Sequence, residues 1–328
     1  MAENKDIIKL AEEIIRGHRI KREDDLSIFS SAPLDKLEEG AGKIQEHFCG
    51  KHIDLCTIIN GRSGRCGENC KYCAQAACHN TDCEEYDFLP KDEIVSNAKA
   101  NEKAGANRFA IVTSGRSLSG NDFDKAIEAY KEMRRTTHIC LCASHGLLNR
   151  EQLRRLHEAG VTNYHHNIET SRRYFPEICT SHTYDDRIHT IKMAQEEGLN
   201  VCSGGIIGIG ETWEDRLDMA ISLSELGIKS IPINALLPIP GTPLEGFERI
   251  SADDILRSVA LFRYINPEAD IRLAAGRKLL PQNGATAFIH GASASITGNM
   301  LATSGTTLKE DVEMLAGMGM DITPQIFS

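Results

Sequence analysis

The sequence predicts an α/β fold, a (β/α)8 barrel of the TIM type. After about residue 50, eight short apolar runs alternate with segments of helical periodicity. Most of these runs are continuous rather than alternating in polarity, as expected for parallel strands that are covered on both faces. Eight strand–helix units in succession can close a barrel. A doubly wound open sheet has the same pattern, and in either architecture the functional site lies at the carboxyl ends of the strands.

The predicted strands are His52–Asn60, Arg108–Gly115, His138–Ser144, Asn163–Thr170, Asn200–Gly208, Ser230–Pro238, Asp270–Arg277 and Ala292–Asn299. Three helices are expected to begin at capping boxes, in which a side chain and the backbone bond reciprocally; these are Asn149 with Gln152, Thr212 with Asp215, and Thr307 with Glu310. Glycines mark the ends of the same helices, at Gly160, Gly227 and near Gly317. We divide the chain into an N-terminal helical extension, residues 1–50, and the barrel, residues 51–328.

Composition and charge exclude several classes of protein. The 328 residues include 37 Lys and Arg against 47 Asp and Glu, a formal charge of −10, whereas a nucleic-acid binder needs a basic face. No stretch approaches the ~20 consecutive apolar residues of a membrane span. The N-terminus is charged and amphipathic and has no apolar signal-peptide core. We therefore expect a soluble, cytoplasmic protein.

The cysteines indicate metal or redox chemistry. There are eleven of them, an odd number in a chain with no export signal. Cys66, Cys70 and Cys73 follow the first predicted strand, where a barrel keeps its chemistry. Three thiolates at this spacing can hold three irons of a cubane cluster and leave the fourth iron open. Zinc is the competing ion, but a structural zinc site uses four ligands.

With Tyr72 before its last cysteine, this motif resembles that of the radical S-adenosylmethionine (SAM) superfamily. The resemblance implies a 4Fe–4S cluster on Cys66, Cys70 and Cys73 whose open iron binds SAM. Reductive cleavage of SAM then gives a 5′-deoxyadenosyl radical that abstracts hydrogen. Tyr72 matches the aromatic position near the adenine.

Further segments resemble those of biotin synthases. The run 163–170 is similar to a strand motif in which Asn167 and Glu169 would hold the ribose of SAM, and 204–211, which contains Gly208, is similar to the strand beside the adenine. The runs 230–234 and 271–277 also match, so the resemblance extends from about residue 20 to the C-terminus. It implies conversion of dethiobiotin to biotin, with an auxiliary iron–sulfur cluster as sulfur donor. It also implies a flavodoxin or ferredoxin as electron donor and a homodimer.

The auxiliary cluster departs from the usual pattern of the family, a 2Fe–2S cluster held by three Cys and one Arg. Cys202 and Arg272 match that pattern, but Ala110 stands where the second strand normally supplies a cysteine. We expect Cys142, Cys179 and Cys202 to hold the cluster, with Arg272 as a ligand or as a hydrogen-bond donor. Such a site resembles the variant biotin synthases of obligate anaerobes, and a 4Fe type with an extra sulfide is the alternative to 2Fe–2S.

Several residues keep two interpretations. Cys78, Cys83 and Cys140 are not excluded as ligands, whereas Cys49 and Cys56 are interpreted as core residues because free cysteine is often buried.

Substrate contacts are expected from His165 and Asn234. His165 either binds the ureido ring of the substrate or packs in the core, whereas the Asn234 amide can both donate to and accept from a urea. Thr303 and Ser304 are weaker candidates for the substrate carboxylate.

Two other functions remain open at this stage. One is a radical SAM enzyme of the hydrogenase-maturase type, or a lipoyl synthase, although the latter would carry a further N-terminal cysteine triplet. The other is a non-enzymatic iron–sulfur or zinc protein.

Overall fold

A computed structural model describes residues 6–298 and 305–323 of the chain. Its strands are β1 Asp54–Arg62, β2 Arg108–Thr113, β3 Cys140–Ser144, β4 Asn163–His165, β5 Asn200–Cys202, β6 Gly205–Ile207, β7 Ser230–Ala235, β8 Asp270–Leu273 and β9 Ala294–Thr297. Its α-helices are α1 Ile7–Ile15, α2 Ile28–Ser31, α3 Leu34–Cys49, α4 Lys91–Lys103, α5 Gly120–Thr136, α6 Arg150–Glu158, α7 Phe175–Ile178, α8 Tyr184–Glu196, α9 Trp213–Glu225, α10 Ala252–Ile265 and α11 Leu308–Gly317.

The strands form a closed parallel barrel. Their order is β5-β4-β3-β2-β1-β9-β8-β7-β6, and a further pairing of β5 with β7 closes the ring. The predicted fifth strand is divided into β5 and β6 by a break at Ser203 and Gly204, so the nine strands occupy the eight strand positions of the barrel. The predicted (β/α)8 barrel is confirmed, and the open sheet is excluded because no edge is left between β5 and β7.

Local signals in the sequence locate helix starts accurately. The three predicted capping boxes, at Asn149, Thr212 and Thr307, are all present with both reciprocal bonds. These bonds satisfy backbone N–H groups that would otherwise lack partners at the first turn of α6, α9 and α11. No helix of the described residues combines the length and the apolar content that a membrane crossing requires.

The N-terminal helices pack on the outside of the barrel. Helix α3 lies against both α1 and α10. The Tyr264 hydroxyl on α10 donates to the Ile7 carbonyl at 3.0 Å, and the Tyr264 ring meets Phe29 edge to face at 5.4 Å. Arg257, also on α10, donates to the carbonyls of Phe29 and Ala32. The extension therefore shares core with the barrel wall, and its division at residue 50 stays a prediction.

The substitution Gly40→Ala tests this packing, because a β-carbon at position 40 would overlap the Tyr264 hydroxyl oxygen. Alanine normally favours a helix over glycine by about 1 kcal/mol, but overpacking costs about 1–3 kcal/mol. We expect a net loss of stability in urea unfolding of the metal-free protein. The matched control is Gly317→Ala at the end of α11, where no atom lies within 4 Å of the added methyl. Stabilisation by both substitutions would contradict close packing of α3 on α10.

Candidate active site

The barrel encloses a cavity of about 410 Å³. Most of the strand residues that face it alternate with residues that face outward, as the twofold periodicity of a strand predicts. On the first two strands these are Cys56 and Ile58, then Arg108, Ala110 and Val112. The other strands contribute Cys142, Ser144, Asn163, His165, Cys202, Ile206, Ser230, Pro232, Asn234, Ala235, Arg272 and Ile296.

The loop after β1 brings Cys66, Cys70 and Cys73 to the mouth of this cavity, at the carboxyl ends of the strands. Backbone bonds fold the loop on itself: Cys66 N–H donates to the Gln75 carbonyl at 3.0 Å, and Ala77 N–H donates to the Cys66 carbonyl at 2.8 Å. Burial raises the pKa of Cys73 to about 11, so this thiol stays protonated until a metal binds.

The spacing of the three loop thiols fits a group larger than a single ion. The donor atoms of a tetrahedral zinc site lie about 3.6–3.8 Å apart, given Zn–S bonds of ~2.3 Å and Zn–N bonds of ~2.0–2.1 Å. Within the described residues, Cys66, Cys70 and Cys73 do not form a set whose sulfurs lie within 4.8 Å of one another. The chemistry of three thiol donors and the wider spacing therefore fit a multi-iron cluster better than a mononuclear structural site.

Tyr72, Asn167 and Glu169 line the cavity next to these thiols. The Asn167 side chain donates to Glu169 at 3.3 Å and accepts from the Gly204 N–H at 3.1 Å. Arg187 donates to the Asn167 carbonyl at 2.8 Å and to the Glu169 carboxylate at 3.4 Å. The amide and the carboxylate are thus held in fixed positions before any ligand arrives.

The backbone at Glu169 is strained in the way typical of functional sites. Its φ is +70°, a left-handed conformation that is rare for a residue with a side chain. Ile206 N–H donates to the Glu169 carbonyl at 2.8 Å, and any side chain at Gly205 would overlap that carbonyl. Glycine at 205 is therefore required for the close approach that fixes Glu169.

Gly208 does not line the cavity, whereas Ile206 on β6 does. Gly208 adopts φ +85° in the turn after β6, where its N–H donates to Glu211 at 2.9 Å. Its left-handed conformation lets the chain turn there, and its contact with a cofactor stays a prediction.

Deeper in the barrel, Cys56 on β1 and Cys142 on β3 flank Ala110 on β2. The register pairs Ala110 with Ile58 on one side and with Cys142 on the other. A hydrogen bond from the Cys142 thiol lowers the pKa of Cys56. Ala110 thus packs beside two thiols from the neighbouring strands that are hydrogen-bonded to each other.

Cys202 on β5 completes this deep group of thiols. It pairs in register with His165 on β4, and the Ser230 hydroxyl donates to its sulfur at 3.3 Å. Burial opposes ionisation of Cys202, but the charge and hydrogen bond of His165 outweigh it and lower the pKa of Cys202 to about 7. His165 thus lines the cavity beside Cys202, and its contact with the substrate stays a prediction.

Arg272 is anchored at the base of the cavity by protein groups. Its terminal nitrogens donate to the Asp54 carboxylate at 2.7 Å, to the Asp54 and Ser295 carbonyls at 3.1 Å each, and to the Ser230 hydroxyl at 3.5 Å. Asp54 also accepts two bonds from Arg108, at 2.8 and 2.9 Å. Burial opposes ionisation of Asp54, yet Arg272 and Arg108 keep its pKa below the usual value. One buried carboxylate thus holds two guanidinium groups.

The structure corrects the prediction that Cys179 is a ligand of the auxiliary cluster. The structure does not bring it to Cys142, Cys202 and Arg272, and it does not line the cavity. Its sulfur lies instead 3.7 Å from the sulfur of Cys70, because the residues after α7 run beside the cysteine loop. Neither do Cys78, Cys83 and Cys140 line the cavity.

Of the predicted substrate contacts, Asn234 lines the cavity, although part of its amide is occupied. It donates to the Gly205 carbonyl at 3.1 Å and accepts from the Ala275 N–H at 3.2 Å. One amide hydrogen and one lone pair remain for a ligand. Thr303 and Ser304 lie outside the described residues.

Sequence reasoning missed three residues of the deep site, namely Cys56, Arg108 and Asp54. Strand periodicity carried the signal for two of them: Asp54, Cys56 and Ile58 share one parity on β1, and Cys56 and Ile58 face the cavity. Arg108 opens β2 with the parity of Ala110, the position already singled out.

Comparisons with known proteins agree with this site. A family model described as the Radical SAM superfamily matches residues 62–223, and one described as the Biotin and Thiamin Synthesis associated domain matches residues 232–321. Curated relatives named biotin synthase include that of Clostridium beijerinckii, 58% identical over 96% of this chain and 99% of the relative. That of Alkaliphilus metalliredigens is 55% identical over 97% of this chain and 100% of the relative.

Solved structures share the fold at low identity. Methylornithine synthase superposes with a TM-score of 0.81 at 19% identity, covering 96% of this chain and 97% of that one. The FeFe-hydrogenase maturase HydG from Carboxydothermus hydrogenoformans gives a TM-score of 0.77 at 19% identity, covering 96% of this chain and 78% of its own. At such identities the likeness shows the barrel and nothing about the reaction.

The substitution Asp54→Asn tests the anchoring of the two arginines. Removing one partner of a buried ion pair costs about 3–5 kcal/mol, because the remaining charge is left buried without compensation. We expect a loss of this size in the unfolding free energy of the metal-free protein, measured by urea titration.

The matched control is Glu268→Gln. Glu268 also binds two cations, Arg19 at 2.6 Å and Lys229 at 3.1 Å, but all three side chains are at least 41% exposed. Exposed pairs contribute about 0–1 kcal/mol. Equal losses in the two variants would show that Asp54 is not the buried anchor.

Proposed function

The chain belongs to the biotin synthase family, and from that premise we propose that its barrel converts dethiobiotin to biotin by radical SAM chemistry. When bound, a 4Fe–4S cluster supplies the electron that cleaves SAM, which gives access to aliphatic C–H bonds that acid–base catalysis cannot open. The observation that carries the proposal is one cavity with two separate groups of thiols. One group lies at the mouth, and the other lies deep in the barrel beside Arg272.

Cys66, Cys70 and Cys73 are proposed to hold that cluster. SAM would lie beside them against Tyr72, and its ribose hydroxyls would donate to the Glu169 carboxylate and bond to the Asn167 amide. Arg187 holds the Glu169 carboxylate and the Asn167 backbone carbonyl, and the Gly204 N–H holds the Asn167 side chain, so both side chains are oriented before SAM binds. The barrel walls separate this space from solvent, which protects a radical reaction from side reactions.

Dethiobiotin is proposed to lie between the two groups of thiols. Asn234 keeps one amide hydrogen and one lone pair for the ureido ring, and His165 stands close by on β4. This placement would bring the carbons that receive sulfur toward the deep thiols.

The auxiliary iron–sulfur cluster is proposed to bind Cys56, Cys142 and Cys202, with Arg272 as a fixed cation rather than an iron ligand. Four contacts already occupy the two terminal nitrogens of Arg272, which supports this role. Ala110 offers no ligand on β2, whereas Cys56 and Cys142 lie together beside it, so we propose the 4Fe type with an extra sulfide in preference to 2Fe–2S. The sulfide would be the sulfur that enters the product.

A flavodoxin or ferredoxin as electron donor, a homodimer and a cytoplasmic location stay predictions from the resemblance. Membership of the family excludes the non-enzymatic alternative. The likeness to the hydrogenase maturase concerns the fold only.

Replacing Cys66, Cys70 or Cys73 by alanine tests the first assignment. Each variant should lose reductive cleavage of SAM to 5′-deoxyadenosine, measured anaerobically with dithionite, by at least ~100-fold because a ligand is lost. Cys78→Ala, at an exposed thiol of the same loop, is the control and should cleave SAM normally. Cleavage that survives in the triplet variants, or a wild type that takes up zinc in place of iron, would overturn the assignment.

The auxiliary site is tested with Cys56→Ala, Cys142→Ala and Cys202→Ala. These variants should still cleave SAM, but biotin formation from dethiobiotin should fall by at least ~100-fold, together with the iron content per chain. Cys49→Ala is the control thiol away from the cavity. Mössbauer spectra of the wild type decide the nuclearity: a clean 2Fe–2S signal beside one 4Fe–4S would exclude the larger cluster. Unchanged iron in Cys56→Ala would exclude Cys56 as a ligand.

A further inference from the structure

Cys179, which the structure separates from the deep thiols, belongs to a compact group of its own. Cys70, Cys179 and His182 are, among the described residues, the one set of three metal-binding side chains whose donor atoms all lie within 4.8 Å of one another. All three side chains are buried. Only Cys70 is part of the cysteine loop, so this group uses a different combination of ligands from the proposed SAM cluster.

The spacing of the two sulfurs in this group is that of a mononuclear tetrahedral site. The sulfurs of Cys70 and Cys179 are 3.7 Å apart, and the Cys179 sulfur lies 3.4 Å from Nδ1 and 3.8 Å from Nε2 of His182. With Zn–S bonds of ~2.3 Å, a tetrahedral ion places two sulfurs ~3.8 Å apart. The two sulfurs are therefore already at ligand spacing, and a shift of the imidazole side chain would bring Nε2 to the same ion.

Glu68 prepares the imidazole for this role. Nδ1–H of His182 donates to the Glu68 carboxylate, which also accepts from the Ser181 hydroxyl at 2.6 Å. A carboxylate on the second ring nitrogen is the usual support of a metal-binding histidine, since it fixes the tautomer and the ring orientation. The Nε2 lone pair accepts from Arg187 at 3.0 Å, so an ion at Nε2 would take the place of that bond.

We propose that the cluster-free protein binds one divalent transition-metal ion through Cys70, Cys179 and Nε2 of His182, with solvent as the fourth ligand. Binding releases the two thiol protons to solvent and involves no change of oxidation state. The ion replaces the single bond from Arg187 to Nε2, and Arg187 keeps its contacts with Asn167 and Glu169. Thiolate and imidazole donors suit Fe²⁺, Co²⁺ and Zn²⁺, with Zn²⁺ bound more tightly than Fe²⁺.

This ion and the SAM cluster would exclude each other, since both need Cys70; that part rests on the proposed function. The protein would then hold a first ferrous ion next to the cluster site, and zinc would block cluster assembly there.

The test is a titration of the metal-free, full-length protein with Co²⁺ under anaerobic conditions. We expect one ion per chain, with the visible bands of tetrahedral cobalt and sulfur-to-cobalt charge transfer. Cys179→Ala and His182→Ala should each weaken binding at least 10-fold. Glu68→Gln should weaken it by about 10- to 100-fold, because it removes the support of the imidazole.

The matched controls are Cys66→Ala and Cys73→Ala, which remove loop thiols but leave the proposed ligands. Both should keep the stoichiometry and the spectrum of the wild type. If these variants lose the ion while Cys179→Ala keeps it, the loop cysteines bind it and the proposal is wrong. If the wild-type protein does not bind Co²⁺ tightly, the proposal is also wrong.

Two further measurements keep the test independent of folding and of activity. X-ray absorption at the cobalt edge of the wild type should show two sulfurs and one imidazole, whereas three sulfurs would overturn the ligand set. During cluster assembly on zinc-loaded protein, zinc should be released to a chromophoric chelator as iron is taken up; retention of zinc in the assembled enzyme would overturn the mutual exclusion. Loss of SAM cleavage in a wild type that binds cobalt as expected would count against the proposed function alone.

Discussion

The alternation of side chains across a closed parallel sheet is the constraint on which the whole site depends. Every inward position has an inward neighbour on each adjacent strand, so a change of size on one strand alters the space beside the next. Ala110 shows the consequence. Its methyl group offers no ligand, but it separates two strands that each present a thiol, Cys56 and Cys142. In the proposed auxiliary site, a donor on β1 would therefore offset the loss of a donor on β2, without any change of fold.

The charged groups at the base of the barrel also influence the deep thiols. Arg108 and Arg272 share the buried carboxylate of Asp54, and Arg108 also pairs with Asp270 at 3.9 Å. The positive field of the two guanidinium groups favours anionic groups nearby. The lowered pKa values of Cys56 and Cys202 reflect this field in part, since Arg272 contributes to both. The base of the barrel is thus suited electrostatically to thiolates or to an anionic cluster that they hold.

Local features of the site could be predicted from the sequence, and long-range ones could not. The capping boxes and the spacing of Cys66, Cys70 and Cys73 depend on residues a few positions apart, which a sequence displays directly. Cys56 was interpreted as core because its partners on β2 and β3 depend on strand register. The contact of Cys179 with Cys70 joins residues 109 apart. For Gly208, the motif gives a position in the chain but not the direction in which the backbone turns.

Cys70 belongs to both of the proposed metal sites, the cluster at the cavity mouth and the single ion beside Cys179. At the cavity mouth its sulfur belongs to a widely spaced set that suits several irons, yet it also lies within 3.7 Å of a second thiol outside the cavity. Arg187 lies between the two arrangements, bonded on one side to His182 and on the other to Asn167 and Glu169. An ion on His182 would remove only the first of these bonds. The residues proposed to hold the ribose would therefore keep their orientation while the single ion is bound. When the cluster is assembled later, the SAM pocket beside it would already be formed.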